Sequence, residues 1–284
     1  TQPSYRFRIN DEKAFALPAV FAQTKFDTKD SQSLQYQALL LYQQLYTFRL
    51  EANKNDALID LDLDRLAFVN QHGIFTDKEK LFENALKALE TSYSNDPAVA
   101  QAMFLRALLY QQQGEKYHPF SHRINQFKIK EAKEICDRIV AAYPGSEGAI
   151  NAQNLLAQIQ QPSLVLESEK VNLPGIPFRT LVKYKNTGSI HLRLIKTSRE
   201  ELKSLDNPYD EKYWKEVTGL RSERNWSSVL PDQGDLQQHA VEVKIDALPV
   251  GTYILLSSVN GDFSLTKNIM TSQVIYVSNL SSIQ

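Results

Sequence analysis

Between Phe82 and Ala157 the chain repeats itself at an offset of 47 residues, Phe82–Tyr110 reading like Ile129–Ala157. Ala85 falls on Ala132, Pro97 on Pro144, Ala102 on Ala149, and Leu108-Leu109 on Leu155-Leu156. Each copy consists of an apolar-periodic helix, a Pro-bearing corner and a second apolar-periodic helix. A unit of this kind buries its faces only against its neighbours, so the repeat restricts this region to stacked helical hairpins. After Pro162 the period changes from the helical one to an alternation of two, the mark of half-buried strands. The chain therefore divides into a helical half and a strand half.

At 284 residues the chain is long enough for two domains with a core each. The net charge is −1, from 32 basic and 33 acidic residues, which gives no electrostatic footprint for nucleic acid or anionic lipid. No apolar run approaches the roughly 20 residues of a membrane span. The single Cys136 excludes an internal disulfide and leaves the redox compartment open. Thr1 in place of Met, without a signal-like apolar stretch, reads as a mature or trimmed start from which any targeting segment is already gone.

In the helical half Leu34, Ala38, Leu41, Leu45 and Phe48 recur at helical spacing and predict a helix from about Ser33 to Leu50. Asp56 is the expected N-cap of a second helix reaching toward Gln71, and Asp77 of a third that turns Leu81, Phe82, Ala85, Ala88 and Leu89 inward. Ala98 to Gln113 follows, with Gly114 as its C-terminal stop. Ile129 to Tyr143 and Gly148 to Gln160 complete six helices in three hairpins. The last two pairs resemble tetratricopeptide-like repeats, through Ala132, the corner Pro144 and the small-plus-leucine runs. Those repeats have a period of roughly 34 residues, so the longer spacing implies an insertion, placed in the irregular stretch Gly114–Phe127.

In the strand half Phe178, Thr180, Val182 and Tyr184 alternate with Arg179, Leu181, Lys183 and Lys185. Asn186-Thr187-Gly188-Ser189 reads as a hairpin turn into Ile190, Leu192 and Leu194. His239–Ile245 alternates again, Leu248-Pro249-Val250-Gly251 is a tight turn, and Tyr253–Ser258 is its return strand. With Leu164–Glu167 and Gln273–Val277 this predicts about seven strands, the count of an immunoglobulin-like sandwich. A polar, aromatic excursion at 198–225 is expected to be partly helical.

Several phrases of this half look like the first macroglobulin-type domain of the bacterial alpha-macroglobulin family. They are Leu173-Pro174-Gly175, Val182-Lys183-Tyr184-Lys185-Asn186-Thr187, Leu248-Pro249-Val250-Gly251-Thr252-Tyr253 and Val277-Ser278-Asn279-Leu280. In that family the last phrase resembles the crossover into the next macroglobulin domain. Gln37-Ala38-Leu39-Leu40-Leu41-Tyr42-Gln43 and Ala57-Leu58-Ile59-Asp60 are similar to the helical leader that precedes the first such domain in some large members. The resemblance implies an N-terminal piece of a large envelope protein that traps proteases, in which a cut bait segment triggers a change of shape. Many members carry a Cys-Gly-Glu-Gln thioester. This chain does not, since Cys136 precedes Asp137-Arg138-Ile139, so no trapping chemistry is carried over to any residue here.

The residue types that carry chemistry each have a structural reading. Cys136 lies on an apolar-rich helix, aligned with Leu89, and reads as a buried, inert thiol. His118 and His122, in His-Pro-Phe-Ser-His, have the i,i+4 spacing of a metal pair, but Pro119 argues against a regular helix and no third ligand stands nearby. Asp60, Asp62 and Asp64 lack the glycine and distal glutamate of a calcium loop and read as a solvated helix face. No Gly-x-Ser-x-Gly elbow accompanies the Ser, His and Asp residues. Asn225-Trp226-Ser227 and Asn279-Leu280-Ser281 match a glycosylation acceptor no more often than chance provides. Tyr209, Tyr213, Trp214 and Trp226 are expected to cluster, as packing of the excursion rather than as a sugar or peptide platform.

The fold class expected is α + β in separate domains: α-helical hairpin repeats of tetratricopeptide-like kind over residues 1–161, then an antiparallel immunoglobulin-like or macroglobulin β-sandwich over 162–284. The function expected is a non-catalytic structural and interaction module of an alpha-macroglobulin-like protease-trapping protein of the cell envelope, periplasm or cell surface. Proteases or envelope proteins are its partners through the full-length protein, and no cofactor, metal, nucleic acid or membrane span is expected. Partner contacts are expected at His118, Phe120, His122, Tyr209 and Trp214. A free-standing peptide-binding adaptor is the alternative, and an enzyme acting on glycans the third reading.

Overall fold

The computed structural model describes residues 6–52, 54–205, 207–208 and 210–279. The chain has helices first and sheets after, a mixed α and β arrangement that divides into two compact units, Thr1–Ile159 and Gln160–Gln284.

In the first unit the described residues form seven α-helices: α1 (Pro18–Gln23), α2 (Leu34–Ala52), α3 (Asn55–His72), α4 (Lys78–Ser92), α5 (Val99–Glu115), α6 (Lys128–Ala142) and α7 (Glu147–Gln160). A 3-10 turn, Glu12–Phe15, precedes them, capped by the Asp11 carboxylate on the Lys13 N–H. Sequence periodicity left residues 6–33 unassigned, yet Phe7, Ile9, Phe15, Phe21 and Phe26 are core residues packed with α3 and α4. Asp56 is not an N-cap. The cap of α3 is Lys54, and Asp56 sits inside the first turn, where its carboxylate suits the helix dipole. Gly114 is not a stop either. It is buried within α5, and a Cβ there would lie 2.5 Å from Ile129 Cγ1 and 2.9 Å from Ile129 N, so its role is to let α5 and α6 approach closely.

The two hairpins α4–α5 and α6–α7 do repeat, but at 50 residues. Phe82, Ala85, Leu86 and Leu89 are buried in α4, and Ala132, Ile135, Cys136 and Ile139 in α6. Both helices end on a tyrosine, Tyr93 or Tyr143, whose N–H bonds to Leu89 O or Ile139 O. Val99, Ala102 and Leu109 of α5 correspond to Ala149, Ala152 and Ile159 of α7, all buried. The 47-residue match instead pairs identical letters, such as the corner prolines, which stand at different steps of their turns: Pro144 directly follows Tyr143, whereas Pro97 is four residues past Tyr93. The excess over a short repeat lies in the α5–α6 connection (116–127), longer than the α3–α4 connection (73–77).

The second unit holds eight strands among the described residues: β1 (Ser163–Glu167), β2 (Val171–Asn172), β3 (Phe178–Lys185), β4 (Ser189–Thr197), β5 (Arg224–Val229), β6 (His239–Ile245), β7 (Gly251–Ser258) and β8 (Met270–Val277). One sheet has the order β1-β3-β6, the other β2-β8-β7-β4-β5, antiparallel throughout except for the β2–β8 pair. The sheets face each other across one core, with Leu164, Leu166, Val182, Tyr184, Val243 and Ile245 from the first meeting Leu192, Leu194, Tyr253, Leu255, Ile275 and Val277 from the second. Two expected hairpins are corners between sheets. β3 and β4 lie in different sheets, joined through Asn186 at φ +53, and so do β6 and β7. Strands β2 and β5 had no alternation long enough to be seen.

The excursion forms α8 (Arg199–Ser204) and α9 (Glu211–Gly219). Ser198 and Glu201 make a reciprocal capping box at the start of α8. Tyr213 and Val217 of α9 pack with Ile195, Ile254, Leu256 and Phe263, on the face of the larger sheet opposite the inter-sheet core. This explains why β7 is buried on both faces and reads as the continuous run Tyr253-Ile254-Leu255-Leu256.

Candidate functional surfaces

The most concentrated chemistry of the first unit is interior. Arg65, on α3, is fully buried, as is Tyr46 of α2, and Asp62 is 1% exposed. Arg65 Nε and Nη2 donate to Asp62 Oδ1 at 2.8 and 2.5 Å, Nη2 donates to Ala16 O at 2.8 Å, and Nη1 donates to Ala14 O. The Tyr46 hydroxyl donates to the same Asp62 oxygen, and the guanidinium lies 4.4 Å from the Phe21 ring centre. Burial, with the Asp62 charge adding to it against Arg65, drives the Tyr46 phenol far above its ordinary pKa. The cluster ties the N-terminal turn and α1 to α2 and α3. Asp62 is therefore not part of a solvated face, although Asp60 and Asp64 are exposed. An Asp–x–x–Arg step on one helix, i,i+3, was the available signal.

A second constellation lines a groove of about 640 Å³ on α4, α5 and α6. Arg106 meets Glu90 as a fork, Nε to Oε1 and Nη2 to Oε2, both at 2.6 Å. The Tyr110 hydroxyl donates to Glu83 at 2.5 Å, Lys87 pairs with the same carboxylate at 2.6 Å, and Lys128 Nζ stands 4.0 Å from the Tyr110 ring centre. Burial alone raises the Glu83 carboxyl, but the hydrogen bonds from Lys87 and Tyr110 outweigh it and the net shift is downward. Glu134 and Arg138 stand exposed on α6 at the rim.

The residues singled out from sequence occupy three places. His118, Phe120 and His122 lie exposed in the 116–127 connection, with the His118 and Phe120 rings 5.8 Å apart. Ile124 joins them at 91% exposed, so the connection presents an apolar tip. His122 N–H donates to His118 O at 3.0 Å, a single turn rather than a helix. Trp214 is half-buried on α9, edge-on to Tyr213 at 5.1 Å, and packs on the outer face of the larger sheet. Tyr209 lies outside the described residues. Trp226 does not join Tyr213 and Trp214. It belongs to β5 and packs against the inter-sheet core. Cys136 is buried where Leu86 sits in the preceding hairpin, and burial pushes its thiol up to about 12.

At one end of the second unit a pocket of about 250 Å³ is lined by Tyr184, Asp232, Asp235 and His239 among others, and sequence reading did not find it. Asp235 is 1% exposed; its Oδ1 accepts from the Gln237 N–H at 3.0 Å and lies 2.8 Å from His239 Nε2. Tyr184 donates its hydroxyl to Pro231 O at 2.6 Å, and Thr187 donates to Ser189 O at 3.1 Å. The Tyr184 bond holds the start of the 231–239 segment against β3, and the Asp235 bonds fix the fold of the segment itself.

Among the described residues no group of three or more His, Cys, Asp or Glu side chains is placed to hold a metal ion, and no helix is long and apolar enough to cross a membrane. No protein-family model matches the chain, and no curated protein matches it.

Proposed function

We propose that the chain is a non-catalytic support and interaction module. Its helical hairpins are of tetratricopeptide-like kind, and its two-sheet unit is an immunoglobulin-like, macroglobulin-type sandwich. In this reading the module stands at the front of an alpha-macroglobulin-like protease trap of the cell envelope, with proteases or envelope proteins as partners of the whole molecule. The observation that carries the reading is where the charged and polar side chains act. The strongest contacts between elements are Arg65 on Ala14 and Ala16, Tyr46 on Asp62, and Arg106 on Glu90. Such contacts fix the geometry of a scaffold, and the phrases that resemble the macroglobulin domain supply its context. Removing residues 1–284 from the parent polypeptide is expected to leave protease capture in solution intact while abolishing its placement among envelope partners. Loss of capture from a point change in this chain that leaves the fold intact would contradict the reading.

A second reading, a free-standing peptide-binding adaptor, is favoured by the groove on α4, α5 and α6. It presents donors (Lys87, Arg138) beside acceptors (Glu131, Glu134, Asp137), a composition suited to an extended polar peptide. This reading expects Glu134→Lys together with Arg138→Glu to abolish peptide capture by the chain. Unchanged capture after both changes would remove it.

A further inference from the structure

Helix α2 has two apolar faces, and the core uses one. Leu39 and Tyr46 are fully buried, Tyr36 and Tyr42 pack against the same core, and Gln43 Nε2 donates to Phe21 O at 2.8 Å and Thr24 O at 2.6 Å. On the other side Leu34 is 85% exposed, Leu41 57%, Leu45 38% and Phe48 66%. Leu34, Ala38, Leu41, Leu45 and Phe48 succeed one another at steps of four, three, four and three residues. A strict alternation of this kind is the seam along which two helices pack knobs into holes.

The occupant follows from the flanks of the seam. Leu34 to Phe48 contains no charged residue, and the positions beside the seam include Gln35, Gln37 and Gln44. Flanking charges normally choose a partner of opposite sign. Neutral flanks let the same helix face itself without like-charge repulsion. They also disfavour a lipid surface, for which an interfacial helix carries Lys and Arg on its polar face, whereas the first basic residue here is Arg49. The four large side chains leave roughly 400 Å² of apolar surface per copy, about half of the ~800 Å² that each partner contributes to a standard interface. The neutral glutamines beside them are available for the remainder.

We propose that α2 is a self-association surface, through which two copies of this chain pair by helix-on-helix packing about a two-fold axis. The test is sedimentation of the full chain over a concentration series into the tens of micromolar, a range that detects a Kd in the micromolar region. The expected result is a species of twice the single-chain mass, reduced at least ~10-fold in association by Leu41→Glu with Phe48→Glu. Both side chains are exposed, so the thermal melt of the diluted variant should match that of the parent chain. The milder Leu41→Gln with Phe48→Gln is expected to weaken the dimer in the same direction and guards against misfolding of the charged pair. A parent chain that stays monomeric throughout the series, or a dimer that persists in both folded variants, overturns the proposal.

Discussion

Burying the Arg65 guanidinium is tolerated because the Asp62 carboxylate, two backbone carbonyls and the face of Phe21 together replace its water. Taking away one charge leaves the other buried without compensation. Arg65→Met is expected to cost about 3–5 kcal/mol in denaturant unfolding, and Tyr46→Phe, which removes one donor to Asp62, about 0.5–1.5 kcal/mol. Equal costs for the two would show that the network is not centred on the arginine. Glu83 carries the pH counterpart. Its carboxyl is held below the usual range in the folded chain, so its contribution to stability is complete above the ordinary carboxylate pKa and is lost as the pH falls through the lower folded value. Glu83→Gln should therefore flatten the acid limb of a stability–pH curve and leave its neutral part parallel to that of the parent. An unchanged acid limb would mean that the Lys87 and Tyr110 bonds do not form in solution.

At the level of elements, the letters that match along the chain are not the residues that do the same work. Leu89 and Ile139 are equivalent, both fully buried, 50 residues apart. Leu89→Ala and Ile139→Ala are each expected to cost about 2–5 kcal/mol, while Leu108→Ala, half-buried and without an equivalent at Leu155, should cost less. Chemical denaturation of these variants beside Leu155→Ala decides between the registers, since a 47-residue repeat requires Leu108→Ala and the buried Leu155→Ala to respond alike. The six long helices and the longer strands were legible because their periods are long and clean. Periodicity did not say which face of α2 turns inward, since both are apolar, and the stripe whose spacing predicted the helix is the exposed one. Nor does a turn such as Asn186-Thr187-Gly188-Ser189 encode whether the next strand returns to its own sheet, which is decided by core residues far along the chain. The exposed His118, Phe120 and His122 were legible as an irregular connection from Pro119 and its polar neighbours. The Asp235–His239 pair was not, because the contact that fixes it depends on how residues 231–239 fold back over Tyr184.

Over the whole molecule, the helical unit and the two-sheet unit each enclose a core of their own. Their buried polar groups are tied to holding segments in place, and their exposed apolar surfaces, on α2 and on the 116–127 connection, are available for other molecules. That division of labour is what the proposed support module requires, and the proposal makes the length of the encoded polypeptide the deciding quantity. The direct measurement is to translate the reading frame beyond the codon for Gln284. The account predicts an uninterrupted frame of several hundred codons encoding further alternating-strand sandwich domains, with a bait-like segment among them. A stop codon within a few tens of codons of Gln284 would contradict it.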